Sequence, residues 1–330
     1  MIISRTPLRV SFAGGGSDLK AYYQYGYGSV VSTAIDKYMY VMINRTFDHH
    51  IRVIYSKIEY VEKAEDIEHN LARVALDLVG IKGNAMDIAY MGDVLPAQYG
   101  SGLGASSSLT VGILNALHAY KGERVSANTL AEEACRIEIE ILGRPIGKQD
   151  QYPAAYGGLN YIRFNRDESV SVEPIVCRQA TMEAVAKNML LFYTGLKNTQ
   201  ADNILSEQMG RALDNRPILD KMVALSDDLR TALNGNDLTR FGNILHEGWL
   251  LKQKLANNIT NPTIDDYYAK ARKAGAVGGK ILGSGGGGFL LLYCASEKQN
   301  QVREAMSELR EVAFKFEPEG SKIVYMSDLR

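Results

Sequence analysis

Residues 96 to 109 read PAQYGSGLGASSSL, and this stretch is built to hold an anion. Gly100, Gly102 and Gly104 alternate with Ser101 and Leu103, and Ala105 and three serines, Ser106 to Ser108, follow. Leu109, Ile113, Ala116, Leu117 and Tyr120 then recur at helical spacing. A glycine- and serine-rich loop therefore runs into a helix N-terminus. Glycines let backbone come close to a ligand, and the first N–H groups of a helix lack internal partners. The helix dipole adds positive charge there, so the whole forms a phosphate cradle. No Gly-Lys-Ser/Thr triplet closes it, so it is not a Walker A loop. The competing reading is a serine-capped loop before an ordinary core helix. Two further segments weigh against that: RTPLRVSFAGGGSDL, Arg5 to Leu19, and KILGSGGGGFLLLYC, Lys280 to Cys294.

Two carboxylates stand out. Between Asn128 and Leu142, a helical spacing of about 100° per residue places Ala131, Ala134, Cys135, Ile141 and Leu142 within about 60° of Glu138. Glu132, Glu133, Arg136 and Glu140 point elsewhere. A carboxylate in an apolar stripe is costly unless it is ion-paired or binds a metal, and both readings stay open here. Asp150, in GKQDQY, falls between a helix and a strand, where a turn or capping aspartate is common. Lys148, two residues earlier, would share a face with Asp150 on a strand. Asp18 ends AGGGSD and could cap a short helix from Leu19 to Tyr23. Gly283 and Gly285 to Gly288, interrupted by Ser284, lie between apolar strands. A glycine turn in that setting implies close approach of something else.

The elements that must position these groups read as follows. Strands are expected at Val30–Asn44, Ile51–Tyr55, Asn84–Met91 and Gly157–Arg163, then at Asn188–Thr194, Gly279–Leu282, Gly287–Cys294 and Phe314–Val324. Helices are expected at Glu68–Val79, Ser106–Lys121, Asn128–Leu142, Thr199–Gly210 and Arg216–Asn234, then at Asp237–Asn257, Ile264–Ala274 and Lys298–Val312. Strands and helices mix without regular βα alternation, which argues for an α+β fold in two halves. The expected units are residues 1–178, with the glycine loop and both carboxylates, and 179–330, with the third glycine segment. Trp249 reads as core, His49 and His50 as exposed loop residues.

With 330 residues, 46% of them hydrophobic, the chain can bury a sizeable core. A net charge of −1 offers no basic excess for nucleic acid. Cys135, Cys177 and Cys294 are far apart and odd in number, as expected of reduced cysteines in a cytoplasmic protein. A motif begins by Arg5, so no signal peptide is expected ahead of it. The longest apolar runs fall short of the roughly 20 residues that span a bilayer, so no membrane partner is expected. Sequence leaves the oligomeric state open, a homodimer included.

Taken in order, the three glycine-rich segments resemble the motifs of the GHMP kinase superfamily. The middle motif of that group, roughly P-x-x-x-G-x-G-L-[GS]-[SA]-S-[SA], fits Pro96 to Ser107. Within the superfamily the chain looks most like the D-glycero-D-manno-heptose 7-phosphate kinases. Arg5 to Leu19 fits their first motif, and Gly147 to Tyr152 with Gly157 to Asn160 fits their GKQDQY and GGLN. The resemblance implies a two-domain GHMP kinase fold: an N-terminal mixed α/β domain with the nucleotide loop, and a C-terminal ferredoxin-like α+β domain. It implies ATP on Pro96 and on Gly100, Ser101, Gly102, Leu103, Gly104, Ala105, Ser106 and Ser107, and magnesium on Ser106 and Glu138. Asp150 would be the catalytic group that orients the acceptor hydroxyl and takes its proton, with Arg9 beside the transferring phosphoryl group. Gly16, Ser17, Asp18, Gly285, Gly286 and Gly287 would meet the sugar, and Tyr22, Tyr23, Tyr25 and Tyr27 could line its pocket. The implied reaction is phosphorylation of the anomeric C1 hydroxyl of a heptose 7-phosphate, in nucleotide-activated heptose synthesis for surface polysaccharide. Lys20, Lys148, Arg163 and Lys197 are candidates for the 7-phosphate. The alternatives are a free-sugar kinase of fucose or galactose type, and a sugar sensor that kept the fold without the chemistry.

Overall fold

A computed structural model describes residues 1–83, 85–94 and 101–327. Pro96 and Gly100 lie outside the described residues. Two sheets organise the chain. The first has eight strands, with a path β12-β1-β2-β5-β3-β4 and a branch in which β6 pairs with β2 and β7 with β6. These are β1 (Ile2–Ala13), β2 (Tyr27–Arg45), β3 (Ile51–Ile54), β4 (Ile58–Val61), β5 (Met86–Gly92), β6 (Leu159–Asn165), β7 (Val170–Pro174) and β12 (Lys322–Met326). The branch follows from the length of β2. Its half Tyr27–Thr33 pairs with β6, its half Met39–Arg45 pairs with β5, and the opposite edge carries β1 throughout. The second sheet is antiparallel, β11-β8-β10-β9, from β8 (Met189–Tyr193), β9 (Gly278–Ile281), β10 (Phe289–Tyr293) and β11 (Arg310–Glu311).

Eleven α-helices connect the strands among the described residues: α1 (Lys20–Tyr23), α2 (Asn70–Val79), α3 (Ala105–Tyr120), α4 (Ala127–Cys135), α5 (Gln151–Tyr156), α6 (Gln179–Lys187), α7 (Ala201–Gly210), α8 (Arg216–Asn234), α9 (Leu238–Lys252), α10 (Pro262–Ala274) and α11 (Gln299–Ala305). α3 lies on β1 and β2, α8 on β2, and α9 on β9. The apolar faces meet in a core that includes Phe12, Ile35, Leu117, Phe164, Phe241 and Trp249.

Several expectations need correction. β1 runs through the first motif, and its burial on both faces hides the alternation that marks a half-exposed strand. The strand expected at Phe314–Val324 is interrupted: Phe316 makes one bridge to Ile35, and pairing resumes only at Lys322. Pro318 and Gly320 explain the break. The strand that follows, β12, pairs with β1 and so joins the first sheet, although it falls in the expected unit 179–330. The helix expected to reach Val312 stops at Ala305, because Arg310 and Glu311 pair with β8. Asp150 precedes helix α5 instead of a strand, and Pro153 is tolerated there in the first helical turn. Cys135 and Cys294 are buried and Cys177 half-buried, all as free thiols.

Candidate active site

β1 carries Arg9 and Ser11 on one face, two residues apart. The guanidinium of Arg9 is almost wholly buried. It donates to Asp150 Oδ1 from Nε at 2.9 Å and Nη2 at 2.6 Å, and from Nη1 to the carbonyl of Gly102 at 2.6 Å. Its backbone N–H donates to Leu103 O at 3.0 Å. One side chain thus clamps the glycine loop to the candidate catalytic carboxylate. Gly102 (φ 75°) also touches the third glycine segment. A Cβ built there would stand 2.4 Å from Leu282 O, and one on Gly283 (φ 70°) would stand 2.4 Å from Gly102 Cα. Only glycine permits both the positive φ and this backbone-to-backbone contact.

Glu138 is fully buried. Oε1 accepts from Ser106 Oγ at 2.8 Å and Arg144 Nη1 at 2.9 Å, while Oε2 accepts from Ser107 Oγ at 2.7 Å and Gln151 Nε2 at 2.8 Å. Burial pushes its pKa up, and Ser107, Arg144, Ser106 and Gln151 pull it back. After α4 the helix widens into a π-helical turn, Arg136–Ile141, in which Leu142 N–H donates to Ile137 O. The wider turn changes the register that 100° per residue predicts. Glu138 keeps its inward position, Ile137 turns in, and Ile141, expected on the same face, is exposed. Gln151 links this pocket to the next residue back, Asp150.

The donor set can be tested against a divalent cation. Ser106 Oγ and Glu138 Oε1 converge, and the Arg144 guanidinium already bridges them. A hard cation of the magnesium type takes one or two protein oxygens and fills its other positions with phosphate and water, which suits this pair. By ligand type Glu138 and Ser106 fit such a cation, and Arg144 is the positive charge they meet in this structure.

A cleft opens beside Arg9 and Asp150, walled by residues of both halves of the chain: Ser11, Gly15, Gly16 and Asp18, then Ile146, Gly147 and Gln149, Leu205 and Gln208 of α7, Lys252 of α9, Lys280 of β9, and Gly283 with Ser284. Asp18 accepts from Gly16 N at 2.9 Å and from Gln149 N and Nε2 at 3.3 and 3.0 Å. It caps no helix, since α1 starts later and lacks a side-chain cap. Burial raises its pKa and the charge of Asp150 adds to the rise, against the lowering bond from Gly16. Lys252 donates to Ile281 O at 3.2 Å and to Gly283 O, and burial pushes its pKa well down, helped by Lys280 and Arg9.

Other sequence-predicted residues fall elsewhere. Ser17 faces away from the cleft: its hydroxyl donates to Gly14 O (2.8 Å) and Ser29 O (3.0 Å), and accepts from Ser29 N. The third glycine turn reaches the cleft through Gly283 and Ser284. Gly285, Gly286 and Gly287 instead lie against Ile259, Asn198 and Leu196. Leu103 is buried, Ser101 Oγ accepts from Leu103 N, and Ser107 is turned to Glu138, while Gly104 and Ala105 form the entry to α3. Lys20 and Lys148 both pair with Glu168 at 2.7 Å, so Lys148 does not serve Asp150. Arg163 lies over the Tyr27 ring. Tyr22, Tyr25 and Tyr27 line a separate hollow with Arg216 and Asp220, and the Tyr23 hydroxyl donates to Glu168. Sequence reasoning missed Arg144, Gln149, Gln151, Gln208, Lys252 and Lys280. Two carried a signal: Lys280 opens an apolar strand, and Lys252 continues the buried face of Leu245 and Trp249 at helical spacing.

A phosphate-cradle loop, a buried serine–glutamate pair and an arginine-held aspartate define a phosphotransferase site. Residues 70–158 match the GHMP kinases N terminal domain, and residues 229–311 match the GHMP kinases C terminal family. The chain belongs to the GHMP kinase superfamily and is an ATP-dependent phosphotransferase with an alcohol group as acceptor. It is 29% identical to the D-glycero-alpha-D-manno-heptose 7-phosphate kinase of Campylobacter jejuni, across 97% of this chain and 98% of that one. It is 25% identical to the L-fucokinase/L-fucose-1-P guanylyltransferase of Bacteroides fragilis, covering 92% of this chain and 35% of that protein. A crystal structure of a D-glycero-D-manno-heptose 1-phosphate kinase from Bacteroides thetaiotaomicron superposes with a TM-score of 0.81 at 25% identity, over 99% of this chain and all of that one. Among the described residues no helix is long and apolar enough to cross a membrane.

Proposed function

We propose that this GHMP kinase is a sugar kinase that transfers the γ-phosphoryl group of ATP to the anomeric C1 hydroxyl of D-glycero-D-manno-heptose 7-phosphate, giving the 1,7-bisphosphate. Its place would be in nucleotide-activated heptose synthesis for surface polysaccharide. Support for the acceptor comes from the Campylobacter jejuni relative, which matches over nearly both full lengths. The observation that carries the chemistry is Asp150, fixed by Arg9 at the mouth of a cleft that also holds Asp18. Two units, about 1–178 and 179–330 with β12 returned to the first, each supply part of that cleft.

In this reading the described part of the glycine loop, Ser101 to Ser107, and the N-terminus of α3 hold the phosphates of ATP. Asp18, Gly16 and Gln149 hold sugar hydroxyls. Asp150 orients the C1 hydroxyl and takes its proton as O1 forms a bond to the γ-phosphorus. The bond from that phosphorus to the bridging β,γ oxygen breaks, and ADP leaves with the electron pair. Arg9, held between Asp150 and Gly102, meets the charge on the transferring group. Magnesium, on Ser106 and Glu138, would supply neutralisation of the phosphate oxygens. Positioning does most of the work, since in-line transfer needs little covalent participation from the protein.

The test is ADP release with heptose 7-phosphate, free heptose, fucose and galactose as acceptors. Preference for the phosphorylated heptose by about tenfold or more in kcat/KM is expected. Preference for a free sugar would replace this acceptor. ATP binding without turnover on any sugar would favour a sensor.

A further inference from the structure

The cleft beside Arg9 and Asp150 has polar groups left without partners. Lys280 is 6% exposed, yet among the described residues its ammonium has no hydrogen-bond or ion-pair partner. Ser11 Oγ and Gln208 Nε2 also line the cleft, are buried, and have no partner among the described residues. Buried polar groups are normally satisfied, and an orphaned one in a native fold calls for an explanation. Three in one cleft indicate that a ligand completes them.

Charge says what kind of ligand. Arg9, Lys252 and Lys280 line the cleft together with Asp18 and Asp150. Arg9 is committed to Asp150, and Asp18 to Gly16 and Gln149. Lys252 spends donors on two backbone carbonyls, which ties α9 to the third glycine segment. Lys280 is the uncommitted cation. We propose that Lys280, supported by the hydroxyl of Ser11, binds a phosphate dianion carried by the acceptor. The site would explain selection of a phosphorylated over a free sugar, and in that it rests on the function proposed above. Burial pushes the Lys280 pKa down to about 7, with Arg9 adding to the fall and Asp18 opposing it. An arriving dianion supplies the counter-charge that the folded protein lacks.

The same phosphate chemistry could come from the transferring group of ATP, and the experiment separates the two. Inorganic phosphate is titrated into the full-length protein, wild type and Lys280→Met, by calorimetry. Binding is expected in the wild type and weakened about tenfold or more in the variant, the scale of one hydrogen bond to a charged group. Phosphate should compete with heptose 7-phosphate and not with ATP. Lys280→Met should lower the ratio of kcat/KM for phosphorylated over free heptose by a similar factor. Ser11→Ala is the second variant, because its hydroxyl has no protein partner to lose; it should fold as wild type and weaken phosphate about threefold. Unchanged phosphate binding in Lys280→Met, or competition with ATP alone, overturns the proposal. If no heptose is turned over but phosphate binding still depends on Lys280, the anion site stands and the proposed acceptor falls.

Discussion

Two buried charged groups of the active site, Glu138 and Lys280, differ in how completely they are partnered, although Gln151 Oε1 beside Glu138 is itself without a partner among the described residues. Around Glu138 both carboxylate oxygens have two donors each, from Ser106, Arg144, Ser107 and Gln151. In the cleft beside Asp150, Lys280, Ser11 Oγ and Gln208 Nε2 have none among the described residues. The satisfied side is pre-organised, with a protein cation where a metal fits. The unsatisfied side is shaped for something the chain does not contain. A fold can hold a buried carboxylate by its own means and leave a buried ammonium to its ligand, provided the ammonium can shed its proton meanwhile.

Asp150 lies between the two sides, so its replacement should produce the largest effect. Asp150→Asn should cut turnover by about 10²–10⁴, the range of a general base, with ATP affinity within about twofold of wild type. Steady-state rates and ATP calorimetry check it. Turnover near wild type would reduce Asp150 to an anchor for Arg9.

Arg144→Met tests whether the satisfied side depends on its stand-in cation. It leaves Glu138 buried with three neutral donors in place of three neutral donors and a charge. Arg144 is 30% exposed at its side chain, which screens the pair. A metal-free loss of about 1–2 kcal/mol is therefore expected, at the low end for a charged hydrogen bond. Magnesium should recover part of it, so the magnesium-induced rise in Tm should be larger in the variant than in wild type. Glu138→Gln should abolish that rise and increase the magnesium needed for turnover. Magnesium titrations of both variants that overlay wild type would leave Glu138 a structural partner only.

A serine pair sharpens the contrast at smaller scale. Ser17 and Ser11 are both buried and lie near the same motif, yet Ser17 has three backbone partners and Ser11 has none. Ser17→Ala should cost about 1–3 kcal/mol in denaturant unfolding, because it strands buried backbone groups. Ser11→Ala should stay within about 0.5 kcal/mol. Equal losses would show that the assignment of satisfied and orphaned groups is wrong.

Glu138 and the glycine loop were legible in the sequence, Arg144 and Gln151 on Glu138 were not, and neither was the cleft wall, for a physical reason. Glu138 announces itself because a charge in an apolar helical stripe breaks a pattern, and the glycine loop because its residues serve few other purposes. Helix α8 was legible to the residue, as its spacing is long and unbroken. The unsatisfied wall is assembled from β1, α7, α9 and β9, four elements distant in sequence. No local pattern marks Ser11 or Gln208, and Lys148 and Lys20 advertised charges that Glu168 takes up. The swap of Gly285–Gly287 for Gly283 and Ser284 in the cleft depends on which side of one turn faces inward. Composition alone cannot specify that.

The last and smallest effect is in the pH profile. Lys280, with a folded pKa near 7 against an ordinary value of 10.5, is charged below about pH 7 and neutral above it. Between those values the unfolded chain holds one more proton at this site, so the site lowers stability most near and below pH 7 and the deficit shrinks as pH rises. Binding runs the other way. A phosphate monoester becomes a dianion above its second pKa of about 6, so dianion and ammonium coexist best between about pH 6 and 7. From pH 7 to 8 kcat/KM for the phosphorylated acceptor should fall several-fold, since this parameter reports the free enzyme. Arg9, Asp18 and Lys252 also act on the group. Lys280→Met should therefore flatten the alkaline fall and leave only what Lys252 contributes. An alkaline limb that persists unchanged in Lys280→Met would move the titration to another residue and remove Lys280 from acceptor binding.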